Sequence, residues 1–331
     1  MATGEKKGKS RRLEAAKHFG KTILTEDYHE ERYPCERPLD ELVLLEHSVE
    51  PHIARITLNR PEKHNAFYPP YSFLELGRKL DIAAMDDDIK VIIIRGAGPS
   101  FCAGEDLNIT LYEHVGGVPG KKPPQSKRME GMYQFIEGFV RKLSHCPKTT
   151  IAQVHGWAVE AGLATAMACD LMVCGESAKL SHAGQRIGFG GMEPFSGFHH
   201  YLTAGPKRAK EWLLTGRTIS TKEAFEWGVC NKVVPDDQLE EETLKLARAV
   251  ASHSTDNLML GKLWWNLVLD MMGLSKGFEI WKIAQPLLSN VMWREDEYNY
   301  IGERAKVGAT KSFEERNAVW EDPNKGGRKQ K

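Results

Sequence analysis

A layered α/β fold is the class this sequence predicts, and three observations lead to it. Short apolar runs of strand length alternate with segments of helical spacing between residue 42 and about residue 235. One run, Val91-Ile92-Ile93-Ile94, is continuously apolar, the mark of a strand covered on both faces. After Pro235 the strand signals stop and only helical patterns follow.

The elements follow in order. Residues 1–40 are polar and carry no sustained period, so they read as a tail or surface arm. Leu42-Val43-Leu44-Leu45 and Ile53-Ala54-Arg55-Ile56-Thr57-Leu58 read as two strands, closed by the turn Asn59-Arg60-Pro61. Residues 73–85 have helical spacing and lead into the apolar strand. Residues 129–143 are helical again, Ile151-Ala152-Gln153-Val154 is a strand, and residues 163–169 form a short helix of small side chains. The strand Leu171-Met172-Val173-Cys174 follows it. Such alternation implies parallel strands joined by crossovers. Beyond Pro235, residues 238–252, 257–272, 276–293 and 295–306 read as helices with bulky apolar faces: Trp264, Trp265, Leu267, Trp281 and Trp293. That surface suits either a second subunit or the chain's own sheet. The expected organisation is a polar extension (1–40), a core (41–235), a helical region (236–320) and a tail (321–331). Gly and Pro crowd residues 115–124, which therefore read as a loop, either a lid or mobile surface.

Composition narrows the function. The chain has 331 residues, 41% hydrophobic and 27% charged, ordinary for a globular protein. Its 45 basic and 45 acidic residues cancel, which argues against nucleic acid as a partner. No apolar run reaches 18 residues, so no membrane partner is expected, and the Lys/Gly-rich N-terminus has no apolar stretch behind it to make a secretory signal. Six scattered cysteines form no C-x-x-C pair, and buried thiols in a reducing, cytoplasmic setting fit them. No metal motif is expected.

Two segments carry the chemistry. Phe101-Cys102-Ala103-Gly104-Glu105-Asp106-Leu107 follows the apolar strand and its Gly96-Ala97-Gly98-Pro99 turn, and its small residues let a backbone N–H approach a ligand. Val154-His155-Gly156-Trp157-Ala158-Val159-Glu160-Ala161-Gly162-Leu163-Ala164 runs from a strand through a small-residue turn into a helix, whose first N–H groups are free and partly positive. Two such turns facing one point make an oxyanion hole, in which each donor is worth about 3 kcal/mol at the transition state. Either turn alone is common scaffolding.

Together the segments resemble the crotonase (enoyl-CoA hydratase/isomerase) superfamily. Leu58-Asn59-Arg60-Pro61-Glu62-Lys63-His64-Asn65-Ala66 is similar to its L-N-R-P-x-x-x-N-A segment, Cys169-Asp170-Leu171 to its acidic turn, and Thr215-Gly216-Arg217-Thr218-Ile219-Ser220 with Glu223-Ala224 to its T-G-x-x-I-x-x-x-E-A stretch. The resemblance covers residues 42–320. It implies a crotonase-like ββα spiral with a C-terminal helical oligomerisation region, assembled as a homotrimer or homohexamer. The ligand it implies is an acyl-CoA thioester, with CoA held near Lys63, His64 and Ala66 and no further cofactor. The thioester oxygen would accept from the N–H groups of Glu105 and Ala161, stabilising an enolate.

The departures matter as much. Hydratases of this family carry one glutamate on the short helix, where Ala164 stands here, and a second in the following turn, which reads Ser181-His182-Ala183-Gly184. The family's Gly-Gly-Gly run is Glu160-Ala161-Gly162. The leading candidate for proton transfer is Glu193, beyond the glycine-rich turn Gly188-Phe189-Gly190-Gly191-Met192, with a solvated loop glutamate or helix N-cap as the alternative. His182 is a second candidate, to orient a water or donate to a carbonyl, against a packed or capping role. Glu105 and Glu160 flank the hole, their side chains free either to act or to point away. His155 reads as structural, and His199 and His200 as surface or interface residues. The expected function is acyl-CoA chemistry on an atypical, cyclic or branched acyl group. The alternatives are a C–C bond hydrolase of a cyclic keto-acyl-CoA and a non-catalytic acyl-CoA-binding or assembly subunit.

Overall fold

The computed structural model describes residues 37–107, 124–188, 196–287, 292–295 and 297–321. A six-stranded sheet organises the fold, in the order β1 (Val43–Glu50), β2 (Ile53–Leu58), β3 (Val91–Gly96), β4 (Thr149–Val154), β6 (Leu171–Gly175) and β9 (Lys232–Val234). Only β1 and β2 pair antiparallel; every later neighbour is parallel, so each return needs a crossover. All six residues of β2 are buried, including Arg55 and Thr57. Burial on both faces explains why strand-length runs here are apolar throughout rather than alternating.

The two faces are covered differently. Ile53, Val91, Ile93, Ile151, Val173 and Val234 pack against Leu239, Ala247 and Ala251 of a helix at Leu239–Ala251. On the same face Arg55, Arg95 and Gln153, from three adjacent strands, converge on Glu240 at the start of that helix. Arg55 is buried, so this carboxylate supplies the partner it requires. Against the other face lie a helix at Tyr71–Met85, which follows β2, and a fully buried helix at Ala161–Ala168, between β4 and β6.

These helices take their labels from the full order. A turn of helix at Leu39–Leu42 is α1, Tyr71–Met85 is α2, Gln125–Phe135 is α3 and Arg141–Ser144 is α4. Ala161–Ala168 is α5, Ser196–Thr215 is α6, Thr221–Glu226 is α7 and Leu239–Ala251 is α8. Thr255–Met272, Leu274–Leu287, Tyr300–Val307 and Ala309–Glu321 are α9 to α12. A π-helical turn at Ile136–Val140 joins α3 to α4, and Phe73, Phe135 and Phe139 stack there at 4.5 to 6.1 Å.

A second sheet of three short strands, β5 (Trp157–Val159), β7 (Lys179–Ser181) and β8 (Thr218–Ser220), stands beside the first. It matters because Cys102 bridges to Ala158 at its edge, which fastens the chain leaving β3 to the chain entering α5.

Two helical expectations need correction. Residues 276–293 do not form one helix: α10 closes at Leu287, and Met292, Trp293 and Arg294 are not helical. The next helix starts at Tyr300 rather than 295, because the Asn299 side chain caps it by accepting the Gly302 N–H at 2.8 Å. Residues 1–36, 108–123 and 322–331, which hold most of both expected tails and of the expected loop at 115–124, lie outside the described residues, while residues 39 and 40 belong to α1 and Glu321 ends α12. No helix among the described residues is long and apolar enough to cross a membrane.

Candidate active site

The chain leaving β3 threads between two others. On one side the Phe101 N–H donates to His155 O at 2.8 Å, the Cys102 N–H to Trp157 O at 2.9 Å, and the Val159 N–H to Cys102 O at 2.9 Å. On the other, the Ala103 N–H donates to His64 O at 2.9 Å, the Phe67 N–H to Gly104 O at 2.7 Å, and the Asp106 N–H to Phe67 O at 2.9 Å. This is a parallel bridge between Phe67 and Glu105. It uses the flanking Gly104 and Asp106 groups, so the Glu105 N–H points the other way. Among the described residues no acceptor takes that N–H.

Two buried polar residues hold this thread. The Asn65 side chain donates to Ala97 O and Ser100 O, both at 2.7 Å, and accepts the Arg60 N–H at 2.8 Å. Arg60 pairs with Asp106 at 3.0 Å and donates to Ala66 O at 2.9 Å. The L-N-R-P-x-x-x-N-A segment is therefore the clamp on the 101–106 turn. Lys63 and His64 lie exposed on its outer rim, with Ala66 half-buried beside them. Burial pushes the Cys102 thiol up to about 12, so it serves packing, not nucleophilic attack.

The second turn meets the first at close quarters. A Cβ on Gly162 would fall 2.4 Å from Cys102 O, and one on Gly104 would fall 2.9 Å from Val159 O. Only glycine permits this approach. Ala161 opens α5, and its N–H, like that of Glu105, has no acceptor among the described residues. Ala164, where the family resemblance expects a glutamate, is wholly buried.

Glu160 sits at φ 46°, ψ −118°, a backbone conformation that favours glycine and costs other residues of order 1–3 kcal/mol. Its N–H donates to Ser181 O at 3.0 Å, which aims the side chain at the turn after β7. There its carboxylate lies 3.7 Å from His182 Nε2. His182 is 1% exposed and Glu160 20%. The other oxygen, Oε1, has no hydrogen-bond partner among the described residues. Burial raises the Glu160 carboxyl, opposed by His182 and by the nearby N–H groups of Gly184 and Ala183. Glu105 is pushed up to about 7, first by burial and then by the charge of Glu160. Behind His182, the ring of His200 stands edge-on at 5.7 Å and packs on Trp212 at 4.6 Å.

The structure thus brings the turns that carry Glu105 and Ala161 into contact and sets Glu160 against His182. Glu193 lies outside the described residues. His200 is not a surface residue: it is completely buried. His155 holds Gly98 O at 2.8 Å, a structural contact. The missed feature is the contact of Glu160 with His182, signalled in sequence only by an acidic residue standing where a glycine run is expected. A cavity of about 550 Å³ lies elsewhere, between the end of α5 and α9, lined by Met167, Asp170, His199, Lys262, Trp265 and Asn266. Among the described residues no cluster of His, Cys, Asp and Glu is set to hold a metal.

Comparison with known proteins bears on this geometry. The enoyl-CoA hydratase/isomerase family model matches residues 48–263. A putative enoyl-CoA hydratase of Mycobacterium tuberculosis is 35% identical over 73% of this chain and 79% of its own length. A 4-chlorobenzoyl coenzyme A dehalogenase of an Arthrobacter species is 34% identical over 61% of this chain and 70% of its own. The crystal structure of an enoyl-CoA hydratase from Mycobacterium smegmatis superposes with a TM-score of 0.74 at 25% identity, over 89% of this chain and all of that one.

Proposed function

The chain belongs to the enoyl-CoA hydratase/isomerase family, and from that premise we propose that it acts on an acyl-CoA thioester through an enolate held in an oxyanion hole. One observation carries the reading: the turns at 101–106 and 159–162 are locked together, and the N–H groups of Glu105 and Ala161 are left without acceptors among the described residues. Negative charge growing on a thioester oxygen is what such donors stabilise. Lys63, His64 and Ala66, on the rim of the same turn, are the proposed contacts for CoA. The relatives' names span hydration and dehalogenation, both on CoA thioesters, which supports a reading by shared ligand rather than by shared reaction.

An apolar residue buried at position 164 supports an atypical reaction or acyl group, cyclic or branched, including C–C hydrolysis of a cyclic keto-acyl-CoA. Glu193 enters the proposal as one possible acid–base. A panel of straight, branched, cyclic and aryl CoA thioesters, assayed with the wild-type chain and Glu193→Gln, tests both points. Turnover of a branched or cyclic member is the expected result, and unchanged turnover in the variant removes Glu193. The missing carboxylate at 164 also favours a second reading, a non-catalytic acyl-CoA-binding subunit. Tight calorimetric binding with an inert panel would establish it. Assembly as trimers or paired trimers is supported by α9, where Trp264 and Trp265 are 63% and 65% exposed. Among the described residues five cysteines are buried and free, which supports a reducing, cytoplasmic setting.

A further inference from the structure

Glu160 stands in a conformation that favours glycine, immediately before the proposed donor Ala161, and the reading above leaves its side chain unused. The carboxylate turns inward. Its Oε2 lies 3.7 Å from His182 Nε2, and a Cβ on Gly184 would fall 3.4 Å from Oε2 and 3.7 Å from Oε1. The turn Ser181-His182-Ala183-Gly184 has no acid of its own, so Glu160 brings a carboxylate to it from the neighbouring turn. Oε1 is buried and accepts no hydrogen bond among the described residues. Of the pair, His182 is shut in, backed by the His200 ring at 5.7 Å, and Glu160 is the member that solvent reaches. A strained backbone that carries a buried, unsatisfied carboxylate oxygen is a mark of function rather than of packing. Covalent bonds alone keep that carboxyl within about 7 Å of the Ala161 nitrogen. A thioester oxygen on the Ala161 N–H would bring the carbon beside the carbonyl, two bonds behind it, into the same small space. We propose that Glu160 is the catalytic acid–base of this site, exchanging a proton with the carbon next to the thioester carbonyl, and that His182 is its positioning residue. The proposal rests on the acyl-CoA reading.

The step balances without a further reactant. The Glu160 carboxylate takes a proton from the carbon, and the C–H electron pair moves into the carbonyl, leaving enolate charge on the oxygen between the two proposed N–H donors. The same carboxyl returns the proton. Among the described residues the titratable groups on this side of the hole are His182, His200 behind it, and Glu105, which feels the Glu160 charge. Arg186, further along the 184–187 turn, is drawn away to Asn317 and the Phe313 ring. Burial favours the neutral form of Glu160, while His182 and the Gly184 and Ala183 amides favour the charged form. A carboxyl balanced between the two can both take a proton and give it back.

The test uses the full chain with butyryl-, isobutyryl- and phenylacetyl-CoA in D₂O. Deuterium entering the carbon beside the thioester is read by mass spectrometry, and binding by calorimetry. For wild type, exchange is expected to rise with pH about a midpoint above the usual carboxylate range. Glu160→Gln keeps the shape and the backbone, so its exchange should fall at least ~100-fold while binding changes less than about threefold. Glu160→Gly removes the carboxylate and gives φ 46° the residue that suits it. Its exchange should fall as far, with a thermal unfolding midpoint level with wild type or higher. His182→Gln should keep binding and move the exchange midpoint up, because the charged form of Glu160 loses support, a shift that mere loosening of the site would not produce. Wild-type exchange in Glu160→Gln or Glu160→Gly, an unmoved or lowered exchange midpoint in His182→Gln, or thioester binding by wild type without any exchange would each overturn the proposal. A Glu160→Gly chain that unfolds before wild type would show a structural prop and overturn it too. If none of the three thioesters binds wild type, the acyl-CoA reading itself fails and the proposal falls with it.

Discussion

Replacing Glu105 with Gln should stabilise the folded chain at alkaline pH and leave it unchanged at acid pH. In the fold this carboxyl is raised from 4.5 to about 7 by burial and by the Glu160 charge. At 1.36 kcal/mol per pH unit, ionising it there costs up to about 3 kcal/mol relative to the unfolded chain. Below pH 4.5 the group is protonated folded and unfolded, and it makes no difference. Between 4.5 and 7 the folded state holds a proton that the unfolded state has released, so stability from this group declines as pH rises. Above 7 the loss is complete and constant. Gln has the same shape, keeps the main-chain N–H and never ionises. Urea unfolding of both chains at pH 5 and pH 8 measures the difference. The variant should gain on the order of 1–3 kcal/mol over wild type at pH 8 relative to pH 5. An equal gap at the two pH values would show that Glu105 ionises as freely in the fold as in the unfolded chain.

Three further perturbations address the scaffold. Gly162→Ala puts a methyl group 2.4 Å from Cys102 O, so it should cost about 1–3 kcal/mol in thermal or urea unfolding and abolish thioester turnover by parting the two turns. Arg60→Met removes one ion-pair partner of buried Asp106 and frees the clamp. A loss of about 3–5 kcal/mol at neutral pH is expected in urea unfolding. Trp264→Ser with Trp265→Ser should leave far-ultraviolet circular dichroism unchanged and reduce the species seen by sedimentation velocity, because these exposed rings support no core of their own chain.

The sequence displays the parts of the fold whose environment is uniform. Val91 to Ile94 read as a buried strand because both faces are covered, and α2 and α8 because each has a single apolar stripe over several turns. Strands β5, β7 and β8 have three residues each, too few to express a period of two. Helix α6 contains Gly205, at a left-handed φ of 75°, and Pro206, so its pattern is broken where the structure kinks. The two turns of the proposed hole are legible for a different reason: the proposed donors are main-chain groups, and small residues in a strand–turn–helix setting advertise them. The carboxylates were not legible. Whether Glu160 faces His182 or water depends on side-chain direction across two turns 22 positions apart, which no spacing rule expresses. The clamp was hidden likewise, because Asn65 reads as a motif letter until its bonds to Ala97 and Ser100 are seen.

Asp170 gives the molecule a mechanical coupling. Directly beyond α5, its Oδ2 accepts from the Thr150 N–H and hydroxyl at 2.7 and 2.9 Å and from Lys262 of α9 at 2.5 Å, while Lys262 also reaches Lys148 O. The rod whose front end presents the Ala161 donor is thereby pinned at its rear to the helix that bears the exposed tryptophans. A neighbour seated on that helix, in the assembly proposed above, would push on the same pin, so the proposed quaternary contact and the proposed grip on a carbonyl would share one lever arm.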